Sequence, residues 1–430
     1  MAISAFMDPA LYVMIILVIA LGFFMTGIIP MAATALFVDL ALYLGGVIDA
    51  KVALKNFASE NVMIIAGLGI VGEAMFRTGA AAEIGVLLRK VAKSERVLVF
   101  WVVIGTGILS GFLSNNGSAA LLISLTLGIC LAAKYRRSKL MYPIAVGVCF
   151  GGGITTVGSN STLYLRGVLE DLGTGQSMSF FELAPICLLL LLVCAIFLST
   201  IGFNLMPDQP RNSLDPSYSE APDYSSVPSW KKTLSIIVFI GTILAMCFEK
   251  QIGITVGMSA LIASFVIIAS GLLTDKEAFK AIPMTAILMY ACMVPVATAM
   301  TNSGAADYMV VFMKETFADM NNPLIIILLI YLIIVPITNV MSNSATIIMF
   351  TPVALAVANS MGMNPKAILM TLRMAGTIAV ATPISMPPMT MAVEPGGYNF
   401  SDYLRPGIPL SIITIIISIA YIYIVYPIYL

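Results

Sequence analysis

Gly111-Phe-Leu-Ser-Asn-Asn-Gly-Ser-Ala-Ala120 sets a cluster of small polar residues inside an otherwise apolar run. Before it, Arg96 to Leu113 is mostly Val, Ile, Leu, Phe and Trp; after it, Ala119 to Ala133 is equally apolar. An amide left unpaired in hydrocarbon is costly. Asn115 and Asn116 must therefore line a cavity, touch a ligand or lie buried in protein, and the reading taken here is half of an ion and substrate site.

The surrounding composition makes this the chemistry of a membrane interior. Hydrophobic residues are 60% and charged residues 10% of 430, and the mean hydropathy is +1.00, which together exclude a soluble domain. Apolar segments of about twenty residues recur, matching a bilayer core of roughly 30 Å. Met1 to Pro9 has no basic region and Asp8 stands at the edge of the first span, so that span is expected to be a retained helix. The expectation is a multi-pass integral protein of a prokaryotic inner (plasma) membrane, in contact with the lipid bilayer. The net charge is zero, which suggests no nucleic-acid partner. Six cysteines lie in apolar runs without a CxxC pair, and there is no histidine, which argues against a disulfide framework, a transition-metal site or an intramembrane hydrolase.

Read in order, spans are expected at about 10–29, 31–49 and 61–77, then an amphipathic segment at 79–94, a hairpin at 96–133 and spans at 141–168 and 181–205. The Pro/Ser/Asp-rich stretch 206–231 reads as a cytoplasmic linker. The series then recurs at 232–249, 253–273 and 284–301, with an amphipathic segment at 303–318, an apolar pair at 322–360 and spans at 365–393 and 405–429.

Residues recur with the hydropathy. Thr78-Gly-Ala-Ala-Ala-Glu83 is echoed by Ser303-Gly-Ala-Ala-Asp307, and Ser114-Asn115-Asn116 by Ser342-Asn343-Ser344. A helix-breaking stretch follows each tip: Gly151-Gly-Gly-Ile-Thr-Thr-Val-Gly-Ser-Asn-Ser161, then Thr382-Pro-Ile-Ser-Met-Pro-Pro-Met-Thr390. The chain thus divides into a first repeat, 1–205, and a second, 232–430. An odd number of crossings per half, about five, inverts the second repeat relative to the first. Basic residues flank 96–133 at both ends, from Arg89 to Arg96 and from Lys134 to Lys139, so this segment enters and leaves on one side, as a re-entrant hairpin does. The pair 322–360 would then enter from the other side. The fold expected is an all-α membrane protein of two inverted-topology repeats, each with a re-entrant hairpin and a broken helix.

Two tips meeting from opposite faces bring Asn115 and Asn343 together. Helix N-termini there suit a carboxylate or other anion. Ser and Asn oxygens with carbonyls of the broken helices suit a small cation, one site per repeat. The blander reading is that Ser and Asn cap hairpin helices or hold helices together.

The order of hairpin with a Ser-Asn tip, Gly-rich broken helix, second tip and Pro-x-Ser-x-Pro-Pro-like break resembles the divalent anion/sodium symporters of the wider ion transporter superfamily, the dicarboxylate, citrate and sulfate carriers. The resemblance covers nearly the whole chain. It implies a homodimer with scaffold and mobile transport domains, an elevator-like movement, and two sodium sites flanking a small anionic substrate. Carried over, one sodium site would use Ser110, Ser114, Asn115 and Gly158, and the other Thr338, Met341 through its carbonyl, Asn343 and Ser385. The anion would meet Asn115, Asn116, Ser159, Asn343, Ser344 and the Met386-Pro387 turn. The sequence departs from the family pattern at Asn116 and Ser344, where Thr is usual in the tip, at Thr162 and Met389, where Asn is usual, and at Met386, where a hydroxyl is usual.

Charged residues inside spans are functional candidates. Glu73 lies one turn before Arg77, the spacing of a helical ion pair. Arg166 either attracts a dianion or pairs with Glu170 or Asp171. Arg373 has no assigned role, and Asp39 and Glu249 read as interfacial or structural. Lys134 to Lys139 is most simply the inside-face signal. The function expected is secondary active transport of small di- or tricarboxylates coupled to sodium by alternating access. The alternatives are an anion exchanger or a proton-coupled or arsenite-type carrier of the same superfamily, and, in another class, an ion channel. No organic cofactor and no enzymatic activity is expected.

Overall fold

A computed structural model describes residues 7–429 apart from 27, 84–87, 89, 91–92, 173–174, 212–223, 225, 306–307 and 309–321. Parts of the amphipathic segments expected at 79–94 and 303–318, and of the linker at 206–231, lie outside the described residues. Within them the protein is helical, with one isolated antiparallel bridge between Met363 and Tyr429. The principal helices of the first half are α1 (Pro9–Thr26), α2 (Met31–Leu44), α3 (Glu60–Arg77), α4 (Glu95–Phe112), α5 (Asn115–Ala133), α6 (Met141–Gly151), α7 (Asn160–Asp171) and α8 (Ala184–Ser199). Those of the second are α9 (Ser229–Cys247), α10 (Val256–Ala269), α11 (Met284–Met293), α12 (Pro323–Thr338), α13 (Asn343–Ser360), α14 (Pro365–Thr377), α15 (Pro387–Met391) and α16 (Phe400–Val425). Six helices among the described residues are long and apolar enough to cross a membrane.

Helix starts follow capping chemistry. Ser94 Oγ accepts from Val97 N, Asn322 Oδ1 from Leu324 N and Asn364 Oδ1 from Lys366 N, the last two with Pro at the first helical position. Two expected spans differ in detail. The stretch 253–273 stops at Ala269 and is followed by a short helix, Asp275–Ala281, begun by a Thr274/Glu277 capping box that a hydropathy reading passes over. The stretch 284–301 changes helix at Val294, where Pro295 supplies no N–H.

The first hairpin closes at its base, and both ends of the second lie against the C-terminal stretch 423–429. Arg136, just past α5, donates from its backbone N to Glu95 Oε1 at 2.7 Å and from Nε to Glu95 Oε2 at 2.9 Å, tying the end of α5 to the start of α4. Pro323, at the start of α12, shares a surface depression with Tyr423–Tyr429, and beyond α13 Asn364 N donates to Ile428 O at 2.7 Å. Helix α8 fixes their relative direction. Arg96 reaches the carbonyls of Ser199 and Thr200 at its C-terminal end. Glu182, before its N-terminal end, receives Lys366 Nζ at 2.9 Å and Tyr426 OH at 3.2 Å. The two hairpin bases therefore sit at opposite ends of α8.

The start of the stretch expected as a linker is docked rather than loose. Asp208 lies 2.7 Å from Arg136 Nη1 and 3.0 Å from Lys139 Nζ, and the Lys139 ammonium holds its carboxyl below the usual range. Arg211 makes a two-pronged pair with Asp402 at 3.0 Å. Inside the first half, α4 and α6 meet through small residues: a Cβ on Gly151 would stand 2.2 Å from the Gly107 carbonyl oxygen. Only glycine permits that approach.

Candidate functional site

Each hairpin tip is made the same way. Ser114, at φ −61° and ψ 137°, accepts from Gly117 N at 3.2 Å; Ser342, at φ −58° and ψ 133°, accepts from Ala345 N at 3.5 Å. The capping role of these serines is thus real, and it turns Asn115 and Asn343 into the first residues of α5 and α13. The leading N–H groups of a helix have no intrahelical acceptor. Those of α5 and α13 consequently open toward whatever lies between the tips.

The breaks are stapled to the tips by repeated bonds. Thr155 Oγ1 donates to Gly111 O, and Thr382 Oγ1 donates to Asn339 O. Ser110 Oγ lies 3.3 Å from Val148 O, and Thr338 Oγ1 donates to Gly376 O at 3.0 Å, each across 38 residues. Residues 152–159 and 378–386 are held open as non-helical segments by these contacts. Thr155, Thr382 and Asn339 were not singled out from the sequence, although the matching positions of the two threonines were a readable signal.

Between tips and breaks lies a cavity of about 960 Å³. Every residue assigned to the anion lines it: Asn115, Asn116, Ser159, Asn343, Ser344, Met386 and Pro387. Of the residues assigned to sodium, Ser114, Asn115, Gly158, Asn343 and Ser385 line it, while Ser110, Thr338 and Met341 are buried behind the wall. The lining also includes Tyr164, Tyr290, Asn160 and Thr390, which the sequence did not suggest, and among the described residues contains no charged side chain. Tyr290 OH accepts from Asn61 Nδ2 at 3.0 Å, which fixes the phenol on the α11 side.

Two features suit a cation with a preference for hard oxygen. A Cβ built on Gly158 would lie 2.8 Å from Gly111 O and 2.9 Å from both Gly152 O and Ser110 O, so three backbone carbonyls converge on the bare face of this glycine. Asn343 Oδ1 is buried without a hydrogen-bond partner, beside Gly376. Buried polar atoms are normally satisfied. These donors fit sodium in chemistry, with no site built from carboxylates; among the described residues there is also no cluster of His, Cys, Asp or Glu able to hold a metal.

The remaining charged candidates sort themselves. Glu73 accepts from Arg77 Nε at 2.6 Å, the pairing its spacing implies. Arg166 pairs with Glu170 at 2.8 Å and does not line the cavity. Asp39 is buried in α2 with Oδ1 unpartnered. Arg373 is fully buried on α14, donating from Nε to Thr162 Oγ1 at 2.6 Å and from Nη1 to Thr377 Oγ1.

Two helix hairpins and two interrupted helices thus surround a cavity whose described lining carries no charge. The chain belongs to the citrate transporter family (CitMHS), whose model matches residues 12–363. It is 31% identical over 199 residues to the uncharacterized transporter YfbS of Escherichia coli, a match covering 46% of this chain and 32% of that protein, so it spans about a third of that relative's length. It is 20% identical over 453 residues to the sodium-dependent dicarboxylate transporter SdcS of Staphylococcus saprophyticus, covering 98% of this chain and 87% of that one. In fold it is similar to the YdaH transporter of Alcanivorax borkumensis, with a TM-score of 0.63 at 15% identity over 88% of each chain. The family and these relatives are transporters, not enzymes, in agreement with the resemblance drawn from the tips and breaks.

Proposed function

We propose that this protein is a secondary carrier that moves a small di- or tricarboxylate together with sodium ions by alternating access. The observation that carries the reading is the cavity, uncharged among the described residues, on which both tips and both breaks converge. An anion there is met by N–H groups at the starts of α5, α7 and α13 and by the Asn115, Asn116, Asn343, Ser344 and Ser159 side chains, without a lysine or arginine in the wall. Such dipoles hold a carboxylate loosely enough to release it. A cavity of this size takes a ligand of four to six carbons with some of its water.

Sodium is the natural companion. It would sit against the carbonyls around Gly158 in one half and at Asn343 Oδ1, with Thr338 and Ser385 behind, in the other, neutralising part of the substrate's charge. The matched bonds of Thr155 and Thr382 and the hairpin bases at opposite ends of α8 support two inverted-topology repeats, 1–205 and 232–430, joined by 206–231. The hairpins would then be re-entrant, one from each face. We place the protein as a homodimer in a prokaryotic inner membrane, its tip-and-break halves moving as a body in an elevator-like step.

Uptake into proteoliposomes tests the reading. An inward sodium gradient is expected to drive accumulation of at least one of succinate, malate, fumarate, tartrate, citrate or sulfate. Counterflow that persists when choline replaces sodium would identify an exchanger instead, and conductance beyond carrier turnover a channel.

A further inference from the structure

Among the described residues, Arg373 is the largest fully buried side chain, 1% exposed. No carboxylate of the described residues reaches it: the ion pairs Lys55–Asp171, Arg166–Glu170 and Lys366–Glu182 all lie elsewhere. Its hydrogen bonds go to two neutral hydroxyls, Thr162 and Thr377. A guanidinium keeps its charge in proteins, and a buried charge without a partner is costly. The cost is retained at a telling place. Thr377 is the last residue of α14 before the second break, and Thr162 is the third residue of the helix that follows the first. A Cβ on Gly153, inside the first break, would stand 3.4 Å from Arg373 Nη2. One cation thus touches both broken elements from behind. Thr162 is about one helical turn, roughly 5 Å along the axis, from the cavity-lining Ser159.

We propose that Arg373 is a specificity-determining residue, the fixed positive charge one layer behind the cavity wall that makes the site favour substrates with two or more negative charges. The proposal rests on the reading of this cavity as an anion site. The wall itself is uncharged, so hydrogen-bond donors there recognise carboxylate shape and count oxygen atoms rather than charge. A charge behind the wall does the complementary task. Its field acts through poorly polarisable protein and in proportion to the ligand's charge. The contacts with Thr162 and Thr377 hold it fixed relative to both breaks, so the field stays aimed at the same point as long as those elements move together.

The proportionality gives a quantitative test. Binding of succinate and of monomethyl succinate is measured by titration of the purified full chain in sodium at neutral pH, for wild type, Arg373→Gln and Arg373→Lys. The wild type is expected to prefer the dianion. Arg373→Gln removes one charge from the field, and its fold-loss for succinate is expected to be the square of that for the monoester, about 100-fold against about 10-fold. Arg373→Lys keeps the charge but cannot make both hydroxyl bonds, and is expected to stay within about threefold of wild type for both probes. Equal losses for the two probes in Arg373→Gln, or no loss, overturn the proposal while leaving the anion site standing. Should Arg373→Gln fail to fold, Arg373→Lys decides alone: a preference for the dianion lost in a folded Lys variant shows that the hydroxyl bridge and not the charge matters. A wild type that binds neither probe nor any other carboxylate overturns the reading of the cavity itself, a result distinct from the others.

Discussion

In the first hairpin Ser110 Oγ lies 2.7 Å from Asn115 Oδ1 and 3.3 Å from Val148 O, and a hydroxyl has one proton to give, so it ties the tip asparagine to its own helix. In the second hairpin the equivalent Thr338 gives its proton to Gly376 O at 3.0 Å, and Asn343 Oδ1 is left without a partner. The breaks differ in the opposite sense. Asn339, where the first half has Gly111, donates to Val335 O at 2.8 Å and Ile378 O at 3.0 Å and accepts from Ala381 N at 2.9 Å, bracing the second break by side chain. The first break is rich in glycine and braced by Thr155, with carbonyls crowded on Gly158, while Ser385 at the matching place of the second has its hydroxyl 2.8 Å from Ala379 O and 3.0 Å from Thr382 O. One half therefore has a tied tip and the more open break, braced by Thr155, and the other an open tip and a break braced by Thr382, Asn339 and Ser385. Each presents one set of oxygens that would suit a cation, backbone carbonyls in one half and a side-chain oxygen in the other.

Filling the open break should produce the largest effect. Gly158→Ala puts a methyl 2.8 to 2.9 Å from three carbonyl oxygens that belong to helix ends and cannot turn away cheaply. We expect the sodium concentration for half-maximal succinate uptake to rise by about 100-fold or more, the scale of losing a metal ligand's support. Ser385→Ala, the mirror change, should raise it by no more than about tenfold, since it removes a hydroxyl already engaged with protein. Equal effects would erase the distinction between the halves. Next in size is the contrast of the tips. Asn115→Ala costs the unliganded protein about 1 kcal/mol, the worth of its bond to Ser110. Asn343→Ala removes an acceptor that has no partner, so the unliganded melting temperature should hold or rise. What Asn343→Ala should lose is the rise in melting temperature that sodium gives, because a ligand stabilises only through contacts it makes in the folded state. A fall in the unliganded Asn343→Ala protein as large as that of Asn115→Ala would show that the second tip is satisfied after all.

Much of this was legible in the sequence because the expense of polar residues in hydrocarbon makes them conspicuous. Ser114-Asn115 and Ser342-Asn343 stand out from apolar flanks, and the Gly- and Pro-rich breaks announce themselves by residues that a continuous helix avoids. The elements that carry them could therefore be placed to within a few residues. The staples were harder, since Thr155, Thr382 and Asn339 are ordinary polar residues until the fold sets them opposite a carbonyl. Arg373 was visible as a charge in a span, with Thr377 one turn on along the same helix, but its bond to Thr162 depends on how α7 and α14 pack against each other, which no local pattern encodes. The Asp275–Ala281 helix was missed for the reverse reason: it is polar, and hydropathy is blind to it.

The smallest expected effect tests a place where the halves differ in the wall itself. Ser159 and Met386 occupy matching positions, both extended residues just before a helix, with φ −143° and −159°. Ser159 offers a hydroxyl, shared with Ser161 at 2.9 Å, whereas Met386 turns its sulfur to Cys149 and is 7% exposed. Met386→Ser would give both halves a hydroxyl at the cavity. One added hydrogen bond to a carboxylate is worth a few-fold in affinity, so succinate binding should tighten by about threefold. The unliganded protein should meanwhile lose about 1 to 2 kcal/mol, because the thioether's burial is forfeited and only part is returned by a serine cap on α15. Affinity and stability thus move in opposite directions, which a titration and a melting curve on the same sample would separate. A variant that loses both would mean that Met386 is a packing residue whose removal lets the Pro387 turn collapse, and that the anion is held asymmetrically by the first half.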